Sequence, residues 1–210
     1  MKHFSEITLS AERVVDAAEG LVQRFGYNGF SYDDIAQEIG IKKPSIHHHF
    51  ATKSELVAVV TQRYTHRFLE KLDSLEQEHA DARTRLDNYA ALFERTYAQD
   101  RKLCVCGMLG SQANDLPTEV ADEVQYFFVR NLAWLAHVIT LGYTGKGSIH
   151  RDEASARAMT FLCALEGAMI VGRGLRSNTG PRTSIASLIP YLLALAVGSS
   201  PMRMHQPSLT

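Results

Sequence analysis

Within eight residues, Lys42-Lys43-Pro44-Ser45-Ile46-His47-His48-His49 sets two lysines, a hydroxyl and three imidazoles. All of these side chains donate hydrogen bonds to phosphates or to the edges of bases. As metal ligands the three histidines are badly arranged, because consecutive helical residues point about 100° apart and one ion cannot meet all three. A second reactive stretch is Cys104-Val105-Cys106, a C-x-C pair with no further Cys or His at the spacing of a zinc site. Pairing Cys104 with His137 as nucleophile and base is a coincidence common on helices. The chain has no glycine-rich phosphate loop, metal-ligand helix signature or strand-borne nucleophile elbow. The expectation is a binding protein without catalytic residues, metal or cofactor.

The elements that must position the histidines are written in the flanking residues. Ser31 and Asp34 have the spacing of a capping box, and Ile35, Ala36 and Ile39 give the following helix one apolar side. Gly40 ends that helix in the left-handed conformation glycine adopts at little cost. Pro44 is tolerated in a first helical turn, so the spacing predicts a short helix over Pro44 to Phe50. On it Ile46 and Phe50 turn inward, and Ser45, His47 and His48 turn outward. Thr52 and Glu55 then open a third helix near Lys53. Helix, glycine turn, short helix, helix is a helix-turn-helix, and a short helix with polar groups outward suits the major groove of DNA.

Phe30 to Leu56 resembles the DNA-binding domain of the TetR (tetracycline-repressor) family of bacterial transcriptional regulators. Ile35-Ala36, Ile39-Gly40-Ile41, Lys43-Pro44-Ser45-Ile46, His48-His49-Phe50 and Lys53-Ser54-Glu55-Leu56 carry the likeness. Where this chain has His47 the family commonly has a phosphate-contacting Tyr, a contact histidine also makes. Lys42 stands where a capping Ser is frequent, which leaves the capping of this helix open. The resemblance implies that Ser31, Tyr32, Lys42, Lys43, Ser45, His47, His48 and Lys53 meet DNA. Lys53 is expected to act on a phosphate, with about one unit of the salt slope resting on it. The resemblance also implies a ligand-responsive homodimer, most simply a repressor, on a near-palindromic operator.

The remaining chain reads as helices alone, so the fold class is all-α with about nine helices. Ser10 is placed to cap a first helix bearing Val14, Ala18, Leu21, Val22 and Phe25 on one face. Residues 1–52 form the expected DNA-binding domain, 53–198 an effector-binding and dimerisation domain, and 199–210 a disordered tail. The resemblance places a small-molecule pocket among the middle helices. Its candidate lining is Tyr89, Phe93, Tyr97, Cys104, Met108, Phe127, Trp134, His137 and Glu166, suited to an apolar or aromatic effector. An alternative reading makes Cys104 and Cys106 a thiol sensor of electrophiles or oxidants, since a helix N-terminus stabilises a thiolate. Remoter alternatives are a non-DNA interaction module and a small helical enzyme.

The segments at about 152–176 and 183–197 are the expected dimer helices. The first interleaves Ala158, Ala164, Gly167, Ala168 and Gly172 with large apolar residues, and the second is apolar on most sides. Global charge gives no general attraction to DNA. Net charge is −1, and residues 1–56 hold six Lys and Arg against eight carboxylates. Phosphate affinity must therefore come from local placement. Three cysteines argue against a disulfide framework, and the amino terminus lacks the apolar core of a secretory signal. The longest apolar run, Ile185 to Val197, is short for a membrane span and contains Pro190. A soluble cytoplasmic protein is expected.

Overall fold

The computed structural model describes residues 3–145 and 147–194. Among them are ten α-helices and no strand: α1 Leu9–Phe25, α2 Tyr32–Ile39, α3 Lys43–His49, α4 Lys53–Glu78, α5 Ala82–Tyr97, α6 Val105–Gly110, α7 Thr118–Gly142, α8 Arg151–Gly174, α9 Pro181–Ile185 and α10 Leu188–Leu193. Short 3-10 turns at Phe4–Glu6 and Ala113–Asp115 precede α1 and α7.

Thr8, not Ser10, caps α1, its hydroxyl accepting from the Ala11 N–H at 3.4 Å, while Ser10 lies inside the helix. Val14, Ala18, Leu21 and Val22 are buried as the periodicity requires, but Phe25 is turned outward and half exposed. The Asp34 carboxylate accepts from both the Ser31 N–H and its hydroxyl, each at 2.7 Å. Those bonds from the Ser31 side chain and backbone hold the carboxyl below its ordinary value of 3.8. This capping contribution is present above that pH and is lost as pH falls through the lowered value. Gly40 has φ +69° and ψ +38°, the left-handed exit expected of it.

Ile35, Ile46, Phe50 and Leu56 are fully buried and close a small core with α1. This reading head is not a loose appendage, because several polar contacts tie the C-terminal end of α1 to the body. The Leu103 N–H donates to Gln23 O at 3.3 Å, and the Tyr27 N–H donates to Gln112 Oε1 at 2.7 Å. From α8, the Arg173 guanidinium donates to the carbonyls of both Gln23 and Arg24.

The body is built on the long antiparallel pair α7 and α8, with α4 and α5 packed against α7. Its centre is aromatic: Phe68 meets Tyr89, Phe93 and Phe127 edge-on at 5.2–5.8 Å, and Trp134 stacks on Tyr89 at 5.6 Å. Buried Asn131 bonds to Tyr89 Oη at 2.9 Å. The expected final helix over Thr183 to Val197 is instead two short helices, α9 and α10, and the stretch from Leu195 onward, including the expected tail, lies outside the described residues. Within one chain α10 is one-sided: Ile189 and Leu192 are buried, and Tyr191 is largely exposed. By length and composition α8 is apolar enough to cross a membrane. Its Phe161, Leu162, Leu165 and Met169 are nevertheless core residues of this body.

Candidate nucleic-acid interface and effector chamber

The α3 helix presents its residues as the short spacing demands. Ile46 is buried and Phe50, just beyond the helix end, is buried with it, whereas Ser45, His47 and His48 are exposed. Lys42 occupies the N-cap position and makes no side-chain capping bond; Pro44 carries no N–H, and the Ser45 N–H donates to Lys42 O at 2.9 Å. Lys43 is exposed and paired with Asp33 at 2.8 Å. A DNA phosphate at Lys43 must displace or share that carboxylate. His49 is half buried and its Nε2 lies 3.1 Å from Ser10 Oγ.

Two expected phosphate contacts are corrected. Tyr32 is buried, its hydroxyl donating to Phe50 O at 3.1 Å and its ring meeting the edge of His47 at 4.8 Å. Burial first, then the Glu55 carboxylate, push the Tyr32 phenol well above its usual range. It is a brace between α2 and the end of α3. Lys53 is also turned inward: its ammonium donates to Phe30 O and lies over the rings of Tyr27 and Phe30, 5.0 and 4.2 Å from their centroids. Burial lowers its pKa, and Asp34 partly opposes this. The motif alone does not reveal this, because a lysine stem reaches inward as readily as outward. Lys53→Met is expected to cost about 1–2 kcal/mol of stability in urea unfolding, from lost cation–π and carbonyl contacts. The salt slope of DNA binding is expected to stay unchanged, where a phosphate contact would reduce it by about one.

The proposed chamber residues divide. Tyr89, Phe93 and Phe127 meet at the aromatic centre with Trp134, and Tyr97 is buried with its hydroxyl bonded to Ser177 O at 2.9 Å. Met108 is half buried beside Arg173. His137 is corrected: it is exposed on the outer face of α7, lining a groove with Met159 and Ile149, and does not enter the interior.

Cys104, Cys106 and Tyr64 are buried and half-buried Glu166 stands beside them, with a Tyr64 Oη to Cys104 Sγ contact of 3.6 Å. Burial raises the Glu166 carboxyl far above its usual range, and Cys104 adds to the rise. Burial also pushes Cys104 up. Hydrogen bonds from the Cys106 thiol, the Gly107 N–H, Tyr64 and Glu166 outweigh that and bring it to about 6, while burial holds Cys106 well above the ordinary thiol range. Glu166 fits only because residue 107 is glycine: a Cβ there would lie 2.2 Å from Glu166 Oε2. Cys163, not singled out by spacing, is the exposed thiol of α8. Among the described residues no three His, Cys, Asp or Glu side chains converge as a metal site.

A helix-turn-helix docked on a larger helical body defines the class, a DNA-binding regulator. Residues 14–60 match the profile of the bacterial regulatory proteins of the tetR family. A TetR-family transcriptional regulator from Agrobacterium tumefaciens is 33% identical, with a TM-score of 0.74 over 87% of this chain and 95% of that one. A TetR transcriptional regulator from Legionella pneumophila is 27% identical, with a TM-score of 0.77 over 89% and 97%. The negative transcriptional regulator of the icaADBC biofilm operon from Staphylococcus epidermidis is 27% identical over 115 residues. That match spans 54% of this chain and only 60% of the relative. The chain belongs to the TetR family of transcriptional regulators.

Proposed function

We propose that this protein is a homodimeric, ligand-released repressor of the cytoplasm that binds a near-palindromic operator through α3. The carrying observation is the outward set Ser45, His47 and His48 on a helix anchored by buried Ile46 and Phe50. In this reading Ser45, His47 and His48 reach base edges and Ser31, Lys42 and Lys43 hold phosphates. Residues 1–52 read DNA, and 53–198 carry the effector site and the dimer contact through α8 and the chain beyond it. Two heads then meet successive major grooves about 34–36 Å apart. The buried aromatic centre supports an apolar or aromatic portion in the effector. Burial of both Cys104 and Cys106 favours such a ligand over direct attack by an electrophile.

Selecting bound fragments from the source genome tests the reading and is expected to return one site with two-fold symmetry. On that site His48→Ala is expected to lower affinity about tenfold or more, the size of one base contact. Equal affinity for unrelated duplexes would overturn the reading.

A further inference from the structure

Along one face of α4 stand Gln62, Thr65 and Leu69, at the i, i+3, i+7 spacing that shares a helix side. Facing them from α7 are Asp122, Glu123 and Tyr126, and Phe4 of the N-terminal 3-10 turn closes one end. Together they bound a groove of about 440 Å³, within the size range of small-molecule sites. It lies on the outer side of α4, apart from the aromatic centre.

One feature of this groove has no explanation within the chain. Gln62 Nε2 donates to Glu123 Oε1 at 2.6 Å, which fixes the amide orientation because a carboxylate only accepts. Gln62 Oε1 is thereby left buried with no donor to satisfy it. Thr65 is 2% exposed beneath it, its hydroxyl turned to the Cys106 thiol rather than to the groove. A buried acceptor without a donor costs stability, and such a group is retained where something else completes it. What would complete this one is a hydrogen-bond donor. His3 and His66 also line the groove, but the charged group in contact with Gln62 is the Glu123 carboxylate, which makes a positive charge the favoured sign for that donor, and the apolar walls of Phe4, Leu69 and Tyr126 suit an aromatic body.

We infer that the α4–α7 groove binds an aralkyl ammonium, its N–H groups donating to Gln62 Oε1 and to the carboxylates of Asp122 and Glu123. The inference deepens the proposed effector reading by giving the ligand a class. Occupancy would bear directly on α4, the helix that begins at the reading head. The binding itself does not depend on DNA.

The test is calorimetry on the full DNA-free protein with 2-phenylethylammonium, 2-phenylethanol and phenethyltrimethylammonium. The expected result is saturable binding of the primary ammonium, about tenfold or more tighter than either analogue, because one lacks the charge and the other the N–H donors. Gln62→Leu and Glu123→Gln are each expected to weaken the primary ammonium by about tenfold, with unchanged helical circular dichroism confirming the fold. Equal binding of the trimethylated compound would overturn the inference, as would absence of saturable binding by the wild-type chain, a result that needs no variant. A failed operator selection would strike the regulatory reading alone, since these titrations contain no DNA.

Discussion

Phe50→Ala is expected to lower the unfolding free energy by about 3–5 kcal/mol, the usual cost of emptying a fully buried phenylalanine site. Phe50 is fully buried where α3 ends, among Ile35, Ile46 and Leu56. Its carbonyl also accepts the Tyr32 hydroxyl, so the same residue anchors α2 to α3 through packing and through a hydrogen bond. Domains of this kind retain only about 5–15 kcal/mol in total. A cavity there would remove a large share of that margin, and DNA affinity would fall in proportion to any loss of folded head. Urea unfolding followed by circular dichroism, with fluorescence anisotropy on labelled operator, reads both consequences. Tyr32→Phe is the control: losing one hydrogen bond should cost about 1 kcal/mol and leave DNA affinity nearly intact. A large affinity loss from Tyr32→Phe without a stability change would restore the phosphate role that the structure withdraws.

Ile170→Glu is the second large effect. Within one chain Ile170 and Val171 are 51% and 60% exposed, and Met159, Cys163 and Leu175 continue an apolar face along α8. Gly167 leaves open space where a side chain would stand, which permits close approach of another helix. On a monomer, glutamate at such an exposed position should change stability by no more than about 0.5 kcal/mol. In a dimer joined through this face the charge is buried without a partner, at about 3–5 kcal/mol, which weakens association by two to three orders of magnitude or more. Sedimentation should then give a folded monomer, and operator affinity should collapse because the two heads no longer bind together. Cys163 supplies an independent readout, expected to resist N-ethylmaleimide in the wild-type dimer and to label readily in the variant. An Ile170→Glu protein that remains dimeric would place the interface elsewhere.

The proposed operator contact was legible in the chain because it is local. Capping boxes, the left-handed glycine and the Ile46–Phe50 pair are rules of spacing over a few residues, and they fix the outward face bearing Ser45, His47 and His48 without reference to the rest of the molecule. Inward Val14, Ala18, Leu21 and Val22 followed from the helical period for the same reason. Tertiary structure decided where long or amphipathic side chains end. Lys53 is inside because the rings of Tyr27 and Phe30 lie beneath it, and His137 is outside, at the open groove between α7 and α8. Likewise Gln62, Thr65, Asp122 and Glu123, sixty residues apart in sequence, become one groove only when α4 meets α7. Sequence spacing carries the geometry of one helix, whereas the packing of helices distant in sequence sets which groups share a site and which are left needing a partner.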